Sequence, residues 1–336
     1  MKYTILGAGA MGSLFGGKLA AAGHDVELLD INEAHLEQIR QHGLRLETDA
    51  GNRVVYPAVA LPADARQMPD WLIVFTKTMH TETALQAVEH LLGSKTCVLS
   101  LQNGLGNLER LQACVPLDRI AIGVTTVPAD MKGPGHVASH GWGTSKCMAA
   151  DVASSDAKAR VQQLVDDFNA AELETTVSAD VMSDIWRKVA FNAALNTICA
   201  VTGATVGMLG RVPSSRELVH RASGEVIQVA QKQSIGIDAD GVHRDLDDAM
   251  DHHLHHQPSM LQDLLAGRAT EIDAIAGAVV RDGERLGIGT PVLRVMHALV
   301  RQKESQAAVT PTTRTIANTN SSTTATAAPI TTTTHH

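Results

Sequence analysis

Six residues near the amino terminus, Gly7-Ala8-Gly9-Ala10-Met11-Gly12, narrow the folds open to this chain more than any other feature. GxGxxG alone is a weak pattern. Here it follows an apolar run, Tyr3 to Leu6, and opens a helical pattern from Gly12 to Ala22. A second apolar run, Asp25 to Leu29, is then closed by Asp30. Strand, glycine turn, helix, strand and terminal acid are the parts of a dinucleotide-binding βαβ unit. Gly7 permits the tight turn, Gly9 lets backbone approach a pyrophosphate at the helix start, and Gly12 lets helix pack closely on strand. The blander reading is a glycine-rich turn that binds nothing. The agreement of position, periodicity and acid favours the nucleotide. Gly7, Ala8, Gly9, Ala10, Met11 and Gly12 are therefore expected cofactor contacts. A carboxylate at Asp30 can accept from both ribose hydroxyls of NAD and would repel the 2′-phosphate of NADP, so NAD is preferred. NADP stays open if Arg40 or Arg45 folds back, or if the ribose-contacting position is offset by a residue.

Strand and helix patterns go on alternating: Glu33 to His42 helical, Trp71 to Thr76 a strand, Thr81 to Leu92 helical, Thr96 to Leu101 a strand. Such alternation implies a parallel sheet with crossover helices. Arg119 to Thr126 and Gly135 to Thr144 read as further strands extending or edging that sheet. After about residue 155 the periodicity becomes helical. The expected architecture is an α/β Rossmann domain over residues 1–170 and an all-α substrate and catalytic domain over 171–304. Residues 305–336 are rich in Thr and nearly uncharged, and read as a disordered tail.

A net charge of −8 argues against nucleic acid or an anionic membrane as partner. No apolar run approaches the length of a membrane helix, and the start shows no signal-peptide pattern. The four cysteines form no CxxC pair, which fits a cytoplasmic protein with reduced thiols. The helical domain is compatible with a homodimer.

In the second half, Lys188, Asn192 and Asn196 stand at i, i+4 and i+8 in a helical, otherwise largely apolar segment, and so share one face. A lysine and two amides are costly to bury without partners. A wet cleft would explain them, with Lys188 on a carbonyl oxygen and the asparagines on a carboxylate or hydroxyl. A polar stripe facing solvent or capping loops is the alternative.

At these residues the chain resembles the ketopantoate reductase (2-dehydropantoate 2-reductase) family over roughly residues 1–305. The landmarks fall in the family's order: Gly7 to Gly12, Phe75-Thr76-Lys77, Leu101-Gln102-Asn103-Gly104-Leu105-Gly106, Trp186-Arg187-Lys188 with Asn192 and Asn196, Ser259-Met260-Leu261-Gln262-Asp263, and Thr270-Glu271-Ile272-Asp273. The resemblance implies hydride transfer to the carbonyl of a small 2-keto acid, giving a D-2-hydroxy acid. It implies Lys188 as proton donor and Glu271 as a catalytic group near cofactor and lysine. It implies Asn103, Asn192, Asn196 and Ser259 as substrate contacts, and Lys77, Asn103, Ala129 and Glu271 as cofactor contacts. From the residues alone, Thr270 and Asp273 fit a helix start, which would put Glu271 in a first helical turn; a plain dipole-complementing glutamate is the alternative. Lys77 at a strand end is either a surface charge or, at the sheet's carboxyl edge, a cofactor contact.

Two departures bear on the substrate. Many family members carry an asparagine where this chain reads Thr205-Val206-Gly207, and NADP-using members place a basic residue where Asp30 stands. Ketopantoate and bulkier 2-keto acids both stay open. The rival enzyme is a 3-hydroxyacid or 6-phosphogluconate type dehydrogenase, whose lysine follows a glycine-rich turn, unlike Asp184-Ile185-Trp186-Arg187 here. A non-catalytic NAD-binding sensor is the rival outside catalysis. His252, His253, His255 and His256 have chelating spacing, but no third ligand is signalled, so no metal is expected. One of them stays a candidate for lining the substrate entrance. The stretch from Gly133 to Gly143 lacks the Lys-Ser/Thr ending of a P-loop.

Overall fold

The computed structural model describes residues 1–309. Its larger sheet has eight strands, in the spatial order Thr175–Val177, Ser145–Ala149, Ile120–Thr125, Cys97–Ser100, Trp71–Val74, Lys2–Leu6, Asp25–Leu29, Ala58–Ala60. All neighbours run parallel except Ser145–Ala149 against Ile120–Thr125. The parallel strands are almost wholly apolar because crossover segments cover both faces. Leu6 pairs with Val74 and Val74 with Ser100, so three strands end side by side, while the fourth, paired at Ser100 with Ile122, runs three residues further to Thr125. Their carboxyl ends lead directly into Gly7, Phe75, Leu101 and Thr126, and this edge carries the site.

The expected domain order holds, with three differences of detail. Thr175–Val177 pairs with Ser145–Ala149, so the sheet continues past residue 170. The segment around Gly135 does not extend the large sheet. His136–Ser139 joins a second, four-stranded sheet with Gly51–Val55, Leu44–Thr48 and Asp130–Gly133. This sheet lies over the helix Ala10–Ala21, which approaches it so closely that a Cβ on Gly17 would stand 2.6 Å from Leu46. Finally, the helix Pro291–Val309 runs beyond residue 304. The rest of the Thr-rich segment lies outside the described residues.

The helical domain is organised around the 22-residue helix Val181–Thr202. Asp180 caps its start by accepting from the Ser183 amide at 3.2 Å. It ends at Gly203, in the left-handed region at φ 74°, whose amide donates to Cys199. Trp186, Val189, Ala190, Ala193, Ala194, Leu195 and Ile198 fill the domain core. No described helix is long and apolar enough to cross a membrane.

Candidate active site

The glycine loop has the packing expected of a dinucleotide-binding turn. Gly7 adopts φ 97°, and a Cβ there would lie 2.7 Å from the Thr76 amide. A Cβ on Gly12 would lie 2.0 Å from the Gly7 carbonyl oxygen, so any larger residue would push helix from strand. A Cβ on Gly9 would meet nothing within 4 Å. The loop is thus packed inward at Gly7 and Gly12 and open outward at Gly9. Gly9 also caps the helix without a side chain, so the orphan first-turn amides are available to an anion. Asp30 follows the second strand, and its Oδ1 accepts from the Asn32 amide at 2.9 Å, which holds the carboxylate at the strand end.

The two domains meet at a joint made by Gly104. Its φ is 83°, and a Cβ would stand 2.6 Å from the Ala274 carbonyl oxygen. Only glycine lets this loop settle on the turn 271–275, where the Leu105 amide donates to that same oxygen at 2.9 Å. The helix expected to begin at Thr270 begins instead at Ala276. Glu271 therefore lies in a turn ahead of the helix, because Thr270 is drawn away: its amide and hydroxyl both donate to Glu304, at 2.7 and 2.6 Å.

The joint brings Asn103 and Glu271 together. Asn103 Nδ2 donates to Glu271 Oε2 at 3.1 Å. The other carboxylate oxygen accepts from the Thr78 amide at 3.1 Å and lies 3.2 Å from the Thr78 hydroxyl, which also reaches the Asn103 carbonyl at 2.9 Å. Thr78 was not singled out from the sequence. Its partners are 25 and 193 positions away, and the available signal was only a hydroxyl at the carboxyl edge of a parallel sheet.

Lys188 reaches across the joint from the central helix, its Nζ donating to the Thr125 carbonyl at 2.6 Å. Burial pushes its ammonium down to about 8, while the charge of Glu271 pulls the other way. Asn192, half-buried, and Asn196, 6% exposed, follow on the same helix. Among the described residues neither amide has a protein hydrogen-bond partner. Unpartnered amides in line with a buried amine form a polar strip that a bound ligand would satisfy.

Lys77 is held by the helical domain, 2.8 Å from Asp263 and donating to Ala269 at 2.6 Å. That ion pair docks the helix Ser259–Leu265 against the Rossmann domain, with Ser259 exposed at its start. Ala129 is half-buried and packs on the Rossmann core. His252 pairs with Asp248 at 3.0 Å. Among the described residues no group of three or more His, Cys, Asp or Glu side chains is placed to hold a metal. Burial and the charge of His253 hold the His256 imidazole below its ordinary pKa, while Asp130 of the Rossmann domain pulls it the other way.

Family models match both halves of the chain: "Ketopantoate reductase PanE/ApbA" over residues 3–150 and its C-terminal counterpart over residues 180–304. The chain is 35% identical over 306 residues to a 2-dehydropantoate 2-reductase of Streptococcus pyogenes serotype M6, covering 91% of this chain and 98% of the relative. It is 33% identical to one from Halobacterium salinarum, covering 90% and 98%. Among solved structures it is similar to D-mandelate dehydrogenase with NADH and anilino(oxo)acetate, with a TM-score of 0.87, 32% identity, and coverage of 92% of this chain and 100% of that one. A PanE/ApbA family ketopantoate reductase from Ralstonia eutropha JMP134 gives a TM-score of 0.85 at 33% identity, with the same coverage.

Proposed function

The chain belongs to the ketopantoate reductase family of NAD(P)-dependent oxidoreductases, and from that premise we propose that it reduces a 2-keto acid to a D-2-hydroxy acid, with NADH preferred and Lys188 as proton donor. The observation that carries this reading is the lysine and the line of unpartnered amides behind it. The bound dinucleotide supplies the hydride that adds to the carbonyl carbon. Lys188 stands where it can protonate the alkoxide that forms, and its lowered pKa suits proton transfer near neutrality. As a cation it also stabilises that oxygen while charge develops. Glu271, fixed by Asn103 and Thr78, opposes loss of the lysine's charge. Asn103, Asn192, Asn196 and Ser259 supply donors for the substrate carboxylate and carbonyl. Asp30 takes the ribose hydroxyls and Lys77, Ala129 and the glycine loop border the dinucleotide. The reaction belongs in the cytoplasm, where the four unpaired cysteines stay reduced.

Ketopantoate is the first substrate to test. A specific observation favours a second one, a 2-keto acid with a bulky apolar side chain. The Thr205 hydroxyl donates to the Leu254 carbonyl at 2.8 Å and accepts from the Met208 amide at 3.4 Å, so it has no proton left to give a distal substrate hydroxyl. Leu254 and Met208 beside it expose apolar surface.

The test is a panel of ketopantoate, phenylglyoxylate, 2-ketoisovalerate and a 3-keto acid, each with NADH and NADPH, followed by nicotinamide absorbance. Turnover of a 2-keto acid that disappears in Lys188→Ala supports the reading. Turnover of the 3-keto acid alone, or of none, overturns it.

A further inference from the structure

His35 is 3% exposed and takes no part in the chemistry above, yet three separate parts of the Rossmann domain converge on it. The Gly135 amide, in the turn between two strands of the second sheet, donates to His35 Nδ1 at 2.9 Å. That bond makes Nδ1 an acceptor and leaves the ring proton on Nε2. Nε2 lies 3.1 Å from the hydroxyl of fully buried Ser13, which donates in turn to the Ala8 carbonyl at 2.8 Å. With Nδ1 accepting, the ring N–H points to the Ser13 hydroxyl and the Ala8 carbonyl, and the Ser13 hydroxyl donates to that same carbonyl. The backbone of the same histidine closes a second path. Its amide donates to the Asn32 side chain at 3.2 Å, and the Asn32 amide donates to Asp30 at 2.9 Å.

We propose that His35 is a positioning residue for the dinucleotide, coupling the loop that receives the pyrophosphate to the carboxylate that receives the ribose. The ring sets the Ala8 carbonyl through Ser13, and the backbone sets Asp30 through Asn32. Gly135 clamps the ring from outside, which gives the four-stranded sheet a part in cofactor binding. The inference rests on the dinucleotide reading of the glycine loop and not on the identity of the keto acid.

The test measures NADH and NADPH binding to the full chain by nicotinamide fluorescence, alongside steady-state kinetics. Asn at 35 keeps an acceptor where Nδ1 was but loses the donor to Ser13; Gln keeps a donor near Nε2. Ser13→Ala removes only the relay hydroxyl. His35→Asn and Ser13→Ala should each weaken the preferred dinucleotide about tenfold, with the double variant no worse than either, and His35→Gln should recover most of the loss. The loss should appear in KM for the dinucleotide, with kcat at saturation kept. If His35→Asn does not fold, Ser13→Ala alone decides. Affinity within about twofold of the parent in Ser13→Ala overturns the proposal, as does a loss that appears in kcat instead. A parent chain that binds neither dinucleotide overturns it together with the reading of the loop. Failure on every keto acid with the binding pattern intact would sink only the proposed reaction.

Discussion

The amine of Lys188 and the carbonyl oxygen of Thr125, 63 residues apart, meet at 2.6 Å across the junction of the two domains. The lysine comes from the helical domain and the carbonyl from the end of a Rossmann strand. The amine proposed as proton donor is thus held by the domain expected to carry the cofactor. Its pKa of about 8 follows from burial at this junction.

That value sets a pH dependence. As proton donor in keto acid reduction, Lys188 must be protonated, so the rate should hold below about 8 and fall above it. The reverse oxidation needs the neutral amine and should rise through the same range. Lys188→Ala should lower kcat by roughly 10²–10⁴ and flatten both profiles. Profiles of kcat against pH in the two directions check this; parallel profiles would remove Lys188 from the proton transfer.

The side-chain amides of Asn192 and Asn196 make no protein hydrogen bond among the described residues, so truncating them should spare the fold and weaken substrate binding. Each change to Ala should raise the keto acid KM about tenfold, with dinucleotide affinity kept. Thermal melts and initial rates on the same preparations separate the two effects. A large drop in Tm with unchanged KM would make them structural.

Asp30 should decide the choice of dinucleotide. Its carboxylate would repel a 2′-phosphate, so the parent chain should favour NADH over NADPH. Asp30→Ser should lower kcat/KM for NADH and raise it for NADPH, moving their ratio by about tenfold or more. An unchanged ratio would place the ribose elsewhere.

Thr78 holds Glu271 and the Asn103 loop with one hydroxyl and one amide. Thr78→Val keeps the shape and the amide but leaves two acceptors without the hydroxyl. It should cost about 1–3 kcal/mol in denaturant unfolding and lower kcat roughly tenfold. Thr78→Ser should restore the rate. Full activity in Thr78→Val would show that Glu271 needs only the backbone.

Some of this was legible in the chain itself because it is local. The bounds of the strand Asp25–Leu29 and the helix Glu33–His42 follow from apolar periodicity. The line of Lys188, Asn192 and Asn196 follows from helical spacing alone. The second sheet was not legible: Gly135 to Thr144 reads as a strand, but its partner Leu44–Thr48 lies about 90 residues away, so nothing local assigns it to a separate sheet. Glu271 was placed in a helix for a similar reason. Thr270 is a good local cap, and its hydroxyl does accept from the Ile272 amide, but its own amide and hydroxyl donate to Glu304, which ties residue 270 to the last helix.

The sequence by itself determined the nucleotide fold, the order of the two domains and the polar face of the central helix, since each depends on residues within a few turns of one another. The tertiary structure alone decided that Gly104 would seat on Ala274, that Glu271 would meet Asn103 and Thr78, that Lys188 would lose its water at Thr125, and that His35 would join Gly135 to Ala8. These contacts join residues far apart in the chain, and their geometry depends on how two separately packed domains and two sheets come to rest against each other.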